Sequence, residues 1–142
     1  MSDVEKTCIF CEIVSRKIPC VKIYEDERTI AFADINPLVG GHSLVIPKTH
    51  AVNLMDITPG DLAAVHQSCQ RVGAAIMKAF KAPGLAVLQL NGSAAGQTVM
   101  HYHVHLIPRL GAKDKIGAFT WPVRAGNPKI IEKNALKIIS ML

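Results

Sequence analysis

A chain of 142 residues, 49% hydrophobic and 19% charged, has the size and apolar content of one domain that buries a true core, outside the range of disordered chains. Its net charge of +5 comes from scattered Lys and Arg with no block like a nucleic-acid tail. It steers anionic partners, a nucleotide as well as DNA, and equally fits a solvated basic surface, so charge alone decides little, and no nucleic-acid partner is expected. No apolar run approaches the ~20 residues that cross a bilayer, and "MSDVEKTCIFC" lacks the apolar centre of an export signal, so the expectation is a cytoplasmic protein with no membrane partner.

A single domain over 1–142 is expected, with a motif-bearing region at 8–109 and a tail at 110–142. Cys8, Cys11, Cys20 and Cys69 sit in a chain without an export signal, where structural disulfides are not expected. The two-residue gap of "CIFC" leaves three readings: half of a tetrahedral metal site, a redox pair, or two small buried thiols. Cys20 and Cys69 read as core fillers. "VKIYEDERTIAFAD" reads as a hairpin, with Val21, Ile23, Ile30 and Phe32 alternating around the charged "EDER" turn. "INPLVGGH" is a loop that delivers His42 to the third strand, "SLVIP", which Pro47 ends.

The clearest helix runs from Pro59 to about Phe80. Thr58 is its N-cap, Pro59 suits its first turn, and Asp61 completes the capping arrangement. Leu62, Val65, Cys69, Val72, Ile76 and Phe80 form an apolar stripe for a sheet. His66 flanks the stripe and reads as structural. "LAVLQLN" follows as a strand, then the loop "NGSAAGQT", then a strand carrying three histidines. Trp121-Pro122 either caps a pocket or closes the core. "KIIEKNALKIISML" ends the chain as a short amphipathic helix whose candidate contacts are Ile130, Ile131, Leu136, Ile139 and Leu142. This order predicts an α+β fold with a mostly antiparallel sheet.

"MHYHVHLIPR" carries the chemistry. On a strand, residues two apart share a face at steps of about 6.6 Å. His101, His103 and His105 therefore line one side, and Tyr102, Val104 and Leu106 face the opposite layer. Three imidazoles on one face each need hydrogen-bond partners, a costly arrangement unless a ligand or metal completes it. A three-histidine metal centre is disfavoured because the outer pair stand about 13 Å apart on a flat strand. Work on a phosphate suits them better, since imidazole titrates near neutral pH and attacks phosphorus when neutral. The nucleophile presents one nitrogen while a hydrogen bond fixes the other, and the central His103 is best placed for that. The preceding glycine loop lets backbone N–H groups approach an anion, with Gln97 and Thr98 as side-chain donors. It lacks the Gly-Lys-Ser/Thr ending of a P-loop.

"GQTVMHYHVHLIPR" resembles the histidine triad family, whose pattern His-φ-His-φ-His-φ-φ is filled from His101 to Ile107. "CIFCEIVSRKIPCVKIYEDERTIAFADINPLVGGHSLVIPKTH" is similar to the amino-terminal half of its Hint-like branch. The resemblance implies a homodimer whose sheet continues across the two-fold, acting as a hydrolase at the α-phosphorus of a purine nucleotide (AMP- or GMP-like) ester or phosphoramidate. It implies that His103 forms a nucleotidyl-histidine, that His105 and Thr98 lie toward the phosphate, and that His42 supports the central imidazole. Asp34 would grip the ribose hydroxyls, with Ile35 beside the sugar and Asn91 near ribose and phosphate. Ile9, Phe10, Ile18 and Phe32 would enclose the base. A structural zinc would sit on Cys8, Cys11, His50 and His101. The cysteine pair and the tail depart from some relatives, and the Pro-Arg ending resembles enzymes that cleave dinucleoside polyphosphates. Two alternatives therefore stand beside the hydrolase: a dinucleoside polyphosphate hydrolase or nucleotidyltransferase, and a non-catalytic nucleotide-binding module.

Overall fold

Five strands form one antiparallel sheet around which everything else is arranged. The computed structural model describes residues 7–111, 114 and 125–141, without the side chains of 134, 137 and 138. Trp121, Pro122 and Leu142 lie outside the described residues. The strands are β1 (Lys22–Glu25), β2 (Thr29–Ala33), β3 (Ser43–Pro47), β4 (Gly84–Leu88) and β5 (Val104–Arg109), and their spatial order is β1-β2-β3-β5-β4. All neighbours pair antiparallel, so β5 lies between β3 and β4. Among the described residues three α-helices accompany them, α1 (Ile9–Val14), α2 (Pro59–Ala79) and α3 (Pro128–Ile139), with a short 3-10 turn at Ser93–Ala95.

The α2 helix starts as its sequence dictates. The Thr58 hydroxyl accepts the Asp61 N–H at 3.2 Å, and Pro59 occupies the first turn, where its missing N–H costs nothing. Val65, Cys69, Val72 and Ile76 of its stripe are buried against Ala31, Val45, Tyr102, Val104 and Leu106 of the sheet side. Gly73 lets Leu85 pack close to the helix, since a Cβ there would meet Leu85 Cδ2 at 2.7 Å and the Leu85 side chain would have to shift. Phe80 ends up as the C-cap, 46% exposed, outside the buried stripe.

The opposite face of the sheet buries Ile30, Phe32, Leu44 and Ile46 against Cys8, Phe10 and Ile13 from α1 and its cap. Alternation along β5 thus sorts its neighbours as expected: Tyr102, Val104 and Leu106 face α2, and the odd-numbered histidines face the α1 side.

The fold departs from the sequence reading in four places. Val21 and Ile23 are 66% and 46% exposed, because β1 is an edge strand with a register break between Lys22 and Tyr24, and Tyr24 packs on the core instead. The histidine strand begins at Val104, so His101 and His103 precede the ladder. The fourth strand stops at Leu88, short of Asn91. In α3, Ile130, Ile131, Leu136 and Ile139 are all exposed by more than half, so the helix forms but these contacts do not.

Leu106 is fully buried between sheet and α2, whereas the Thr58 cap lies at the surface. Leu106→Ala is expected to cost about 3 kcal/mol and Thr58→Ala about 1 kcal/mol in urea unfolding, a ranking read from the two midpoints.

Candidate functional site

On the α1 face, the side chains that the sequence singled out close around a cavity of about 290 Å³. His103, His105 and Thr98 line it together with Ile9, Phe10, Ile18, Phe32, Asp34 and Ile35. The loop after β2 supplies Asp34, whose Oδ1 accepts the Asn36 N–H at 2.8 Å in an Asx-type turn.

Backbone groups set the tautomers of His103 and His42, and His42 in turn sets that of His105. His103 Nδ1–H donates to the His101 carbonyl at 2.7 Å, so its Nε2 carries the lone pair. Leu38 N–H donates to His42 Nδ1 at 3.0 Å, which leaves the His42 proton on Nε2. That Nε2–H lies 2.9 Å from His105 Nδ1 and 3.3 Å from Asp34 Oδ2. His105 therefore accepts at Nδ1 and keeps a proton on Nε2 to offer a ligand. His42 meets His105 in this way, rather than the central imidazole, whose Nδ1 is already satisfied by His101.

All three rings are held neutral. Burial pushes His105 down to about 4, and the neighbouring His103 and His42 add to the effect against the opposing pull of Asp34. Burial also lowers His42 and His103, with Asp34 opposing in both. A neutral His103 with a free Nε2 is a nucleophile, and a neutral His105 is a hydrogen-bond donor.

His101 turns the other way. Its Nε2–H donates to the Pro47 carbonyl at 2.8 Å, leaving the Nδ1 lone pair 3.3 Å from Cys8 Sγ, 3.5 Å from Cys11 Sγ and 3.2 Å from His50 Nδ1. Cys11 Sγ lies 3.2 Å from His50 Nδ1, and all four donor atoms fall within 4.8 Å of one another. The Cys11 N–H also points at Cys8 Sγ, at 3.4 Å. Two thiols and two imidazoles with a carbonyl behind one ring are a donor set that suits a tetrahedral ion such as zinc. Asp34, His42 and His105 are equally close together, but the Leu38 amide keeps the facing His42 nitrogen protonated. That trio is a hydrogen-bond cluster. The four-residue cluster is the one whose donor atoms could hold a metal ion.

Two other expected residues are engaged within the chain. Gln97, 3% exposed, donates from Nε2 to the Val52 and Val99 carbonyls at 2.6 and 3.1 Å and accepts the Gly92 N–H at 2.7 Å. Asn91 Oδ1 accepts from Leu54 N–H and Gln89 Nε2, each at 2.8 Å, and its Nδ2 donates to Gln89 Oε1. His66 is structural, its Nε2 3.1 Å from the Tyr102 hydroxyl. Sequence reasoning passed over Ile13, whose spacing from Ile9 gives α1 one apolar side, and the Leu38 amide, which no side-chain pattern reveals.

The chain matches known proteins in sequence and in fold. The family model "HIT domain" matches residues 15–111. The crystal structure of a HIT family member from Bacillus subtilis superposes with a TM-score of 0.86 at 40% identity, covering 96% of this chain and 97% of that one. Adenosine 5'-monophosphoramidase hnt1 of Schizosaccharomyces pombe is 37% identical over 139 residues, 96% of this chain and 98% of the relative. A zinc-bound histidine triad family protein from Mycobacterium smegmatis superposes with a TM-score of 0.75 at 36% identity, covering 97% of this chain and 99% of that one. The chain belongs to the HIT family. It is a HIT-fold enzyme, with the histidine machinery of a nucleotidyl hydrolase.

The depressed His105 makes stability depend on pH. His105 titrates near 6.5 unfolded and about 4 folded, so between those values the unfolded chain binds more protons and stability rises with pH. The contribution is full above about pH 6.5 and shrinks as pH falls toward 4. At pH 5 this residue alone is expected to remove about 2 kcal/mol relative to pH 7.5. Urea unfolding at both pH values checks it, with His105→Gln flattening the difference.

Proposed function

We propose that the protein hydrolyses purine nucleoside phosphoramidates or related nucleotidyl esters at the α-phosphorus, through a nucleotidyl-His103 intermediate. One observation carries the reading: the Nε2 lone pair of His103 faces a cavity whose size meets the lower end for small ligands, ~300 Å³, while a backbone carbonyl pins its Nδ1. The amidase relative supports the substrate class.

The base lies between Ile9, Phe10, Ile18 and Phe32, the ribose hydroxyls donate to Asp34, and Ile35 packs beside the sugar. Thr98 and the His105 Nε2–H donate to non-bridging phosphate oxygens. His103 Nε2 attacks phosphorus, forming an N–P bond as the bond to the leaving amine breaks. The amine departs with the bonding pair and takes up a proton. Water then attacks the same phosphorus, loses a proton, and returns the neutral imidazole with release of the mononucleotide.

Cys8, Cys11, His50 and His101 would hold a structural zinc, which supplies a cross-link between α1 and the segment before β5. A second copy seats on the concave face of α2 and β4, where Ala63, Gly73, Ala74, Met77, Leu85 and Val87 line a groove of about 720 Å³, and the sheet continues through β4. The homodimer works in the cytoplasm, whose reducing conditions suit cysteines kept as thiols.

His103→Ala is expected to abolish turnover of an adenosine phosphoramidate while AMP binding persists, and mass spectrometry of quenched wild-type enzyme should show an adenylyl adduct on His103. Unchanged turnover in the variant together with no adduct would sink the mechanism. Elemental analysis of protein never exposed to chelator should give about one zinc per chain; a value under ~0.2 removes the zinc claim.

A further inference from the structure

The nucleotide cavity and the metal cluster share one short helix. α1 has six residues, fewer than an isolated helix needs to persist in water. Its N-cap is Cys8, whose Sγ accepts the Cys11 N–H, and those two thiols are half of the metal-binding set. Ile9 and Phe10 stand between them and Ile13 follows one turn later, and all three line the cavity.

Phe10 also reaches the nucleophile. Its ring lies edge-on to His103 with centroids 5.3 Å apart and to His101 at 5.8 Å, with Phe32 behind at 5.5 Å. His103 is therefore held from two directions, by the Phe10 ring and by the His101 carbonyl. Both supports start at the cluster, one between its cysteines and one at its buried histidine.

The parts of the cluster are unequally anchored. The segments carrying His50 and His101 are joined by the Tyr102 N–H to Ala51 carbonyl bond at 2.7 Å, by Gln97 Nε2 to the Val52 carbonyl, and by His101 Nε2–H to the Pro47 carbonyl. The backbone bonds of α1 run to carbonyls of Cys8, Cys11, Glu12 and Ile13 inside its own segment, and Phe10 and Ile13 pack it on the sheet. Four of the contacts among these donors are 3.2 to 3.5 Å, thiol protons and imidazole nitrogens converging on the space that an ion would fill. Of the segments that meet there, α1 is the less anchored one.

We infer that Phe10 is a positioning residue for His103, and that the ion on Cys8, Cys11, His50 and His101 gates nucleotide binding by clamping α1 as the wall of the base pocket. The ligand named here rests on the hydrolase reading. The coupling of cluster, helix and imidazole is a property of the fold.

The test compares full-length protein as purified, depleted with a chelator, and reloaded with zinc. Depletion should raise amide exchange over 9–14 about tenfold while β3 and β5 keep their protection, weaken AMP binding about tenfold by calorimetry, and shift the imidazole nitrogen resonances of His103; reloading reverses all three. Unchanged exchange and affinity in the depleted protein overturn the gate, as does loss of protection across β3 and β5, which would make zinc a metal for the whole fold. In zinc-loaded protein, Phe10→Leu keeps an apolar wall but removes the ring edge, and should lower kcat on an adenosine phosphoramidate about tenfold with a smaller change in KM and zinc content unaltered. A wild-type kcat overturns the positioning role. Should the loaded wild type bind no AMP and turn over no phosphoramidate, the hydrolase reading fails. The coupling is then decided by α1 exchange and the His103 resonances, which move on depletion if it holds and stay fixed if it does not.

Discussion

The hydrogen bond from His103 Nδ1–H to the carbonyl of His101 fixes what the site can do, because a neutral imidazole has one proton to place between two nitrogens. With Nδ1 committed to the backbone, Nε2 is left as a lone pair facing the cavity. The same economy governs the other rings. Pro47 takes the His101 proton and leaves Nδ1 to the thiols, and the Leu38 amide forces the His42 proton onto the nitrogen that faces His105. Every one of these controlling partners is a main-chain group. The chemistry is therefore specified in large part by where β3, the loop before it and the residues entering β5 run past one another.

Such an arrangement is costly to fold. Imidazoles are buried at the end of a sheet that could have been purely apolar, and burial holds His101 and His105 at about 4. The opposite face offsets this with a dense layer in which Val65, Val104 and Leu106 are fully buried. A polar knot reinforces the far end of that layer. Burial alone would raise Asp26, but bonds from the Arg28 and Thr29 amides and from the Tyr24 and Thr29 hydroxyls bring it down to about 2. The Ser68 hydroxyl, 3.3 Å away, carries the same knot onto α2. Stability and chemistry are divided between the two faces of one sheet, which lets β5 serve both through alternation.

Much of this could be read from the residues alone, for physical reasons that differ by element. α2 is long and capped, so Thr58, Pro59 and its stripe identify it without tertiary help. β3 is five apolar or small residues ended by proline, buried throughout. The alternation in "HYHVH" separates core from site by strand geometry alone. α1 escaped because six residues give too little periodicity, and because its start is defined by two cysteines whose partners lie far along the chain. Val21 and Ile23 misled because alternation reports a face and says nothing about whether a second layer covers it. Gln97 looked like a phosphate donor because its residue type allows that role. Its three hydrogen bonds to Val52, Val99 and Gly92 depend on a loop packing that no local pattern encodes. Even the 13 Å separation that argued against a three-histidine centre had a further meaning, since His101 proved free to serve a different set of ligands.

The two clusters of the site show why composition cannot assign chemistry. Cys8, Cys11, His50 and His101 form one, Asp34, His42 and His105 the other, and both bring their donor atoms within 4.8 Å. Count and distance alone do not distinguish them. What separates them is the group behind the ring. A carbonyl behind His101 takes the proton away from the cluster and frees a lone pair for an ion. An amide behind His42 does the reverse and drives the proton into the cluster, where it bridges to His105 and Asp34. One peptide unit, presented by its oxygen in the first case and its N–H in the second, thus decides between holding a cation and holding a proton.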